Sequence, residues 1–137
     1  MYGKIIVPVD LAHAGTLEKA LAVSADLARH YKAELHYVGV TATAPGSVAH
    51  NPAEFAEKLQ AFASEQGSAR GVDIKTHAVT SPDPVRDLDD TLRHTVDELG
   101  ADLVVMASHV PGFAEHIFAT NAGYLANHAS VSVLVVR

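Results

Sequence analysis

The stretch KIIVPVD, Lys4–Asp10, is apolar at nearly every position before its terminal acid. Two later stretches have the same character, DLVVMA at residues 102–107 and VSVLVV at residues 131–136. A strand with one face in water alternates apolar and polar residues, whereas a strand covered on both faces is apolar almost throughout. These three runs therefore predict parallel strands buried between layers of helices.

Five segments in all have the character of strands, and patterns with helical spacing lie between them. The predicted strands are Lys4–Val9, Glu34–Thr41, Val72–Thr80, Asp102–Ser108 and Val131–Val136. The predicted helices are Thr16–Lys32, a second beginning after Asn51, a third beginning after Asp83, and Ala114–His128. This alternation predicts an α/β fold in which residues 1–137 form one domain, a doubly wound parallel sheet with helices on both faces.

Capping residues set the expected bounds of the two middle helices. Asn51 is a suitable N-cap for the second helix, and Gly67 is expected to end it. Asp83 is expected to cap the third helix, with Pro84 at the first helical position and Gly100 at the end.

Composition narrows the classes of function. The chain has no cysteine, which excludes disulfides, thiolate metal sites and a cysteine nucleophile. The first strand begins almost at the N-terminus, so we expect no signal peptide and a cytoplasmic location. The formal net charge of −6 argues against nucleic acid or an anionic membrane as partner. A small anionic ligand is still compatible with it, because a helix N-terminus can bind one locally.

In doubly wound sheets, ligands bind beyond the carboxyl ends of the strands, where the strand order reverses. The loops after the first and fourth strands, DLAHAG at residues 10–15 and SHVPG at residues 108–112, are therefore the expected site.

The two ends of the chain resemble the universal stress protein family, and the resemblance extends over essentially the whole length. It is carried by KIIVPVD at the start and by ADLVVMASH and NHASVSVLVVR in the last third. The resemblance implies strand order 3-2-1-4-5 and the fold called adenine nucleotide alpha hydrolase-like. It also implies a homodimer that forms by antiparallel pairing of the last strand.

Nucleotide-binding members of that family carry G-x2-G-x9-G-[ST] after the fourth strand. Ala107 and Val110 match the first two glycines, and Ala119-Thr120 matches the final pair with the spacer one residue short. A subgroup with an A-S-H-R-P-G loop has the same short spacer, with arginine at the position of Val110 and glycine at that of Ala119. Losing a charge-assisted hydrogen bond from that arginine costs about 1.5–3 kcal/mol, or roughly ten- to a hundredfold in affinity.

The resemblance implies a nucleotide site in which Asp10 contacts the adenosine portion, Val40 lies beside the base and Pro8 fixes the backbone before Asp10. The full set of predicted nucleotide-binding residues is Pro8, Asp10, Val40, Ala107, Ser108, His109, Val110, Pro111, Ala119 and Thr120. ATP and AMP are the ligands considered, with Mg²⁺ able to neutralise a triphosphate, and none is obligatory.

Three readings of this site stay open. In the first, a dimeric stress-response module senses the nucleotide and signals through an unidentified protein partner. In the second, the loop is an ordinary connection, Asp10 is a capping residue, and the protein acts through protein contacts alone. The third, a slow ATPase or nucleotidyl transferase, has the least support because no general base and no Mg²⁺-binding acid pair converge on the loop. We therefore predict no catalytic residue; Ser108 and His109 lack a nucleophile elbow.

Two other groups of polar residues are predicted not to form a functional site. The histidines lie on different predicted elements without metal-ligand spacing, so we predict no metal site. The acids of Asp87–Asp90 are predicted to lie early in a helix, solvated and complementing its dipole.

The last strand is apolar, yet the implied strand order places it at an open edge of the sheet, where an exposed apolar strand promotes association. We therefore predict dimerisation through Val131, Val133 and Val135.

Overall fold

The computed structural model describes residues 1–84, 86–107, 123–127 and 130–137. The described residues form one five-stranded sheet in the order β3-β2-β1-β4-β5, and every pairing in it is parallel. The strands are β1 Lys4–Pro8, β2 Glu34–Ala42, β3 Ile74–Ser81, β4 Leu103–Ala107 and β5 Ser132–Val136. The predicted order is confirmed, and each predicted strand overlaps an observed one.

Helices cover both faces of the sheet, because alternate residues of the buried strands point to opposite sides. Helices α1 (Glu18–Tyr31) and α2 (Pro52–Arg70) pack on the face that carries Ile5 and Tyr37. Helix α3 (Leu88–Leu99) packs on the face that carries Ile6. Leu125, in the helical residues 123–127, belongs to this second core. The doubly wound arrangement is therefore confirmed.

Strands β1 and β4 are neighbours in the sheet, with Ile5 paired to Leu103 and Ile6 to Val104. Their carboxyl ends therefore meet at one edge, as the predicted reversal of strand order requires. A short 3-10 segment, Leu11–Leu17, separates β1 from α1. The first helix is therefore regular only from Glu18, slightly later than predicted.

The prediction that Gly67 ends the second helix is wrong. Helix α2 continues to Arg70, and Gly71 in the left-handed region caps it. Gly67 instead allows the backbone at Val72 to pass close to the helix. The N–H groups of Gly71 and Val72 donate to the carbonyl of Gly67, and a Cβ on Gly67 would lie 2.7 Å from the carbonyl oxygen of Val72.

The predicted start of the third helix is also wrong, although its end at Gly100 is confirmed. Asp83 does accept a hydrogen bond from the N–H of Arg86, but that turn stops short of a regular helix. The helix begins only at Leu88, preceded by Asp87. Pro84 therefore lies in a turn before α3, and Asp87 lies outside the helix.

The predictions for residues 108–122 and 128–129, which include most of the fourth helix, lie outside the described residues, as does Val85. Among the described helices, none combines the length and apolar character needed to cross a bilayer.

Candidate functional site

A cavity of about 240 Å³ lies beyond the carboxyl ends of β1 and β2. Its walls come from the two strand ends, the loop between β2 and α2, the start of α2, the turn before α3, and α3. The described lining residues are Pro8, Val9, Asp10, Leu11, Val38, Val40, Thr41, Ala42, Ala44, Gly46, Ser47, Val48, Ala49, Phe55, Pro84, Leu88 and Leu92. Most of them are apolar, which is typical of a pocket that takes a flat organic group.

Three of the predicted site residues, Pro8, Asp10 and Val40, line this one cavity. Ala107, at the end of β4, is buried and is not among the residues described as lining it. The other predicted site residues lie outside the described residues: Ser108, His109, Val110, Pro111, Ala119 and Thr120.

Asp10 is the one ionisable side chain among the described lining residues. It immediately precedes the 3-10 segment as its N-cap, and its Oδ1 accepts a hydrogen bond of 3.1 Å from the N–H of Ala12. Its Oδ2 lies 2.9 Å from Nδ1 of His13. The capping role predicted as an alternative for Asp10 is therefore present, and it occurs together with a position in the cavity wall.

Sequence reasoning missed the walls formed by the loop after β2, by α2 and by α3. The apolar side chains of Phe55, Leu88 and Leu92 contribute to them. The loop could have been anticipated, because it leaves β2 at the same edge of the sheet as Asp10 leaves β1. The predicted third helix contained Leu88 and Leu92, but nothing in the sequence pattern placed them at the cavity.

The loop between β2 and α2 is fastened to α2. The N–H of Gly46 donates to the carbonyl of Ala49, and the ammonium group of Lys58 donates to the carbonyl of Val48. Glu54 accepts from the backbone N–H of His50, which, with hydrogen bonds from Lys58 and from the His50 ring, lowers the pKa of Glu54 to about 2. These contacts fasten one wall of the cavity to α2.

Gly39 sets the position of Phe55. A Cβ on Gly39 would lie 2.8 Å from Cζ of Phe55 and 3.2 Å from Cδ2 of Leu59. We expect Gly39→Ala to destabilise the fold by about 1–3 kcal/mol and to push the Phe55 ring toward the cavity. Urea unfolding measures the loss, with Gly15→Ala as control because a Cβ there meets nothing within 4 Å. Equal stability of the two variants would contradict this account of Gly39.

A second and larger hollow, about 930 Å³, lies between β3 and α3. Its described lining includes the acids Asp87, Asp90, Asp97 and Glu98 and also the basic side chains of His77, Arg93 and His94. The prediction that the acids of Asp87–Asp90 are solvated fails for one oxygen of Asp89. One oxygen of Asp89 is buried with no hydrogen-bond partner among the described residues, and burial, with the nearby charge of Asp90, raises its pKa.

Two of the histidines, on the adjacent strands β2 and β3, form a pair that the sequence analysis did not predict. Nδ1 of His36 lies 2.8 Å from Nε2 of His77, and the rings stack with centroids 5.0 Å apart. Oε2 of Glu34 lies 3.4 Å from the other nitrogen of His36. Within the part of the chain that the structure describes, no three His, Asp or Glu side chains converge as a metal site requires.

Burial is the largest cause that lowers the pKa of both imidazoles. Glu34 opposes this at His36, while the positive charge of Lys4 adds to the lowering at both rings. Glu98, from α3, opposes it at His77. A hydrogen bond between the facing nitrogens needs one of them without a proton, so the pair cannot keep it when both rings are charged.

We therefore expect the free energy of unfolding to fall by about 1 kcal/mol as the pH drops from 7.5 to 5.5. The unfolded chain takes up protons near the ordinary histidine pKa of about 6.5, before the folded pair does, so the stabilisation is present above that pH and is lost below it. His77→Gln retains a donor at the position of Nε2 and should flatten this dependence. Urea unfolding at the two pH values measures this dependence. If the free energy of unfolding fell equally in the variant and the wild type, the His36–His77 contact would not be its cause.

The outer strand β5 carries exposed apolar side chains. Leu134 is 38% exposed and Val135 is 41% exposed, whereas Val131 and Val133 are partly buried against the core on the α3 side. Strand β5 pairs with β4 on one side and with no other described strand of the chain.

Comparison with known proteins agrees with this architecture. The family model described as Universal stress protein family matches residues 1–137, and the chain belongs to that family. A relative named Universal stress protein G, from Shigella flexneri, is 29% identical and is aligned over 100% of both chains.

Two solved structures show the same fold at low sequence identity. A universal stress protein in complex with cAMP has a TM-score of 0.70 at 20% identity, covering 99% of this chain and 97% of its own. A universal stress protein from Archaeoglobus fulgidus in complex with dAMP has a TM-score of 0.68 at 19% identity, covering 99% of this chain and 98% of its own.

Proposed function

We propose that this chain is a cytoplasmic, non-enzymatic sensor that binds an adenine nucleotide of low charge, AMP or cAMP, in the cavity beside Asp10. The observation that carries the proposal is a largely apolar cavity at the carboxyl edge of a parallel sheet, with the carboxylate of Asp10 in its wall. An adenine ring would lie against Val40 and Leu92, and Asp10 would accept hydrogen bonds from the ribose hydroxyls.

The size of the cavity supports a ligand whose nucleoside part is enclosed while its phosphate lies outside. Pockets for drug-sized ligands have volumes of roughly 300–1,000 Å³. The cavity, at about 240 Å³, is smaller. A nucleoside is a better match than a complete nucleoside triphosphate.

The distribution of charge supports a monophosphate over ATP. No lysine or arginine occurs between Arg93 and Arg137, and the whole chain has a formal net charge of −6. Each additional phosphate group increases the repulsion unless a divalent cation accompanies it. ATP would therefore bind more weakly than AMP without Mg²⁺, and Mg²⁺ would narrow the difference.

The related proteins supply independent support, because two of them were solved in complex with cAMP and with dAMP. Binding in this chain would change its shape or its contacts with a protein partner, and no turnover is proposed.

Calorimetric titration with adenosine, AMP, cAMP and ATP, with and without Mg²⁺, tests the proposal. We expect AMP or cAMP to bind and to raise the unfolding temperature, with no release of phosphate from ATP. Absence of binding by every nucleotide would favour a protein that acts through contacts alone. Steady release of phosphate from ATP, lost in Asp10→Ala, would favour the enzyme instead.

We also propose that two copies associate through β5 in antiparallel register. The exposed side chains of Leu134 and Val135 support this, because an apolar edge strand gains by pairing with a second chain. The pairing would extend two five-stranded sheets into one.

A further inference from the structure

We propose that His13 is a positioning residue that fixes the Asp10 carboxylate for the ligand. The inference rests on the proposed nucleotide site and adds to it a residue outside the cavity lining. Nδ1 of His13 lies 2.9 Å from Oδ2 of Asp10, and both side chains are largely shielded, with exposures of 31% and 26%.

The backbone around His13 is arranged to hold its ring against Asp10. His13 has φ −130° and ψ 34°, which interrupts the helical geometry of the 3-10 segment. Its N–H donates to the carbonyl of Asp10 at 3.1 Å, and its carbonyl accepts from the hydroxyl of Thr16 at 2.7 Å. The segment therefore fixes the residue on both sides, and the imidazole does not depend on the Asp10 contact alone.

The hydrogen bond between His13 and Asp10 has a defined donor and acceptor. A carboxylate only accepts hydrogen bonds, so in this contact Nδ1 of His13 bears the hydrogen and donates a hydrogen bond to Oδ2 of Asp10. The N–H of Ala12 donates to the other oxygen. Each carboxylate oxygen has two acceptor positions, and among the described residues one hydrogen bond to each is seen, which leaves one position on each for a hydroxyl group of the ligand.

With both oxygens held, Asp10 loses little rotational freedom when a ligand binds. Without His13 only the N–H of Ala12 would hold the carboxylate, and binding would have to complete its immobilisation, a cost that corresponds to about a three- to tenfold loss of affinity. His13 would thus act on ligand affinity through Asp10, without touching the ligand.

The test compares His13→Ala with His13→Asn by titration of the full chain with adenosine and AMP. The side-chain nitrogen of asparagine can stand where Nδ1 of histidine stands, so it can donate to Asp10 in the same way. We expect His13→Ala to bind both ligands about three- to tenfold more weakly and His13→Asn to recover most of the loss. A purely structural role would change the unfolding temperature of both variants and would not separate them by affinity. His94→Ala is the matched control, because it removes an exposed imidazole beside a carboxylate, Glu98, on α3.

Unchanged or tighter binding by His13→Ala would overturn the inference, and tighter binding would mean that His13 competes with the ligand for Asp10. The ¹⁵N chemical shifts of the His13 ring test the contact without any ligand, and a ring with its proton on Nε2 alone would also overturn it. A wild-type chain that binds no nucleotide while the ring shows a protonated, hydrogen-bonded Nδ1 would instead locate the failure in the proposed function.

Discussion

Replacement of Val40 by phenylalanine is expected to lower the affinity for AMP at least about a hundredfold, equivalent to roughly 2.8 kcal/mol of binding free energy. Val40 lies in the wall of a cavity of about 240 Å³, among Phe55, Leu88 and Leu92. A phenyl ring there would occupy the space proposed for the base. Because the ring would enter an existing hollow, the cost in folding free energy should stay at or below the roughly 1–3 kcal/mol of an overpacked core.

The matched control is Val79→Phe. Val79 is paired with Val40 in the register of β2 and β3, but it lines the larger hollow beside α3. Titration with AMP should therefore show normal affinity in Val79→Phe and little or none in Val40→Phe, with both variants folded by circular dichroism. If both retained wild-type affinity, the ligand would have to bind elsewhere.

A charge at Val135 is expected to convert the proposed dimer into folded monomers. In Val135→Asp the carboxylate would lie in the interface between two β5 strands, and an unpaired charge buried there costs several kcal/mol. The dissociation constant of the dimer should rise by at least about a hundredfold. Val135 is a sharper site than Val133, because Val133 also packs against the core and a charge there would disturb folding.

Sedimentation velocity measures the change, and Thr80→Asp is the control. Thr80 is exposed on β3, at the opposite edge of the sheet, so the same charge there should leave the dimer intact. A wild-type chain that is monomeric at micromolar concentration would refute the dimer itself. An unchanged dimer of Val135→Asp would place the interface on another surface.

The sheet could be predicted from the sequence because a strand buried on both faces is apolar at nearly every position. The runs that contain Ile5, Val104 and Val133 are all strands, and the capping preference of Asn51 identified the start of α2. Gly67 misled the prediction because a glycine required for close backbone approach has the same appearance in the sequence as one that ends a helix. Asp83 misled the prediction of the third helix in a similar way. Its side chain accepts a hydrogen bond from the backbone three residues later, and that contact occurs both in isolated turns and at helix N-termini.

The candidate site was predictable where it depends on strand order. The rule that parallel strands end at one edge gave the loop that begins at Asp10, whereas Pro8 and Val40 were named only through the resemblance to the universal stress protein family, and all three line one cavity. The contact between Asp10 and His13 depends on an irregular backbone angle, which no periodicity encodes. The pairing of His36 with His77 depends on the register between two strands that are distant in the sequence, so composition gave no sign of it.

The two outer strands of the sheet differ in a way that limits growth. Strand β5 presents Leu134 and Val135 to solvent, whereas β3 carries the exposed ammonium group of Lys75 and the polar Thr80. A lysine on an outer strand discourages further chains from adding. Once two copies had joined through β5, only β3 strands would remain at the margins, so assembly would stop at a closed pair instead of continuing into a fibre.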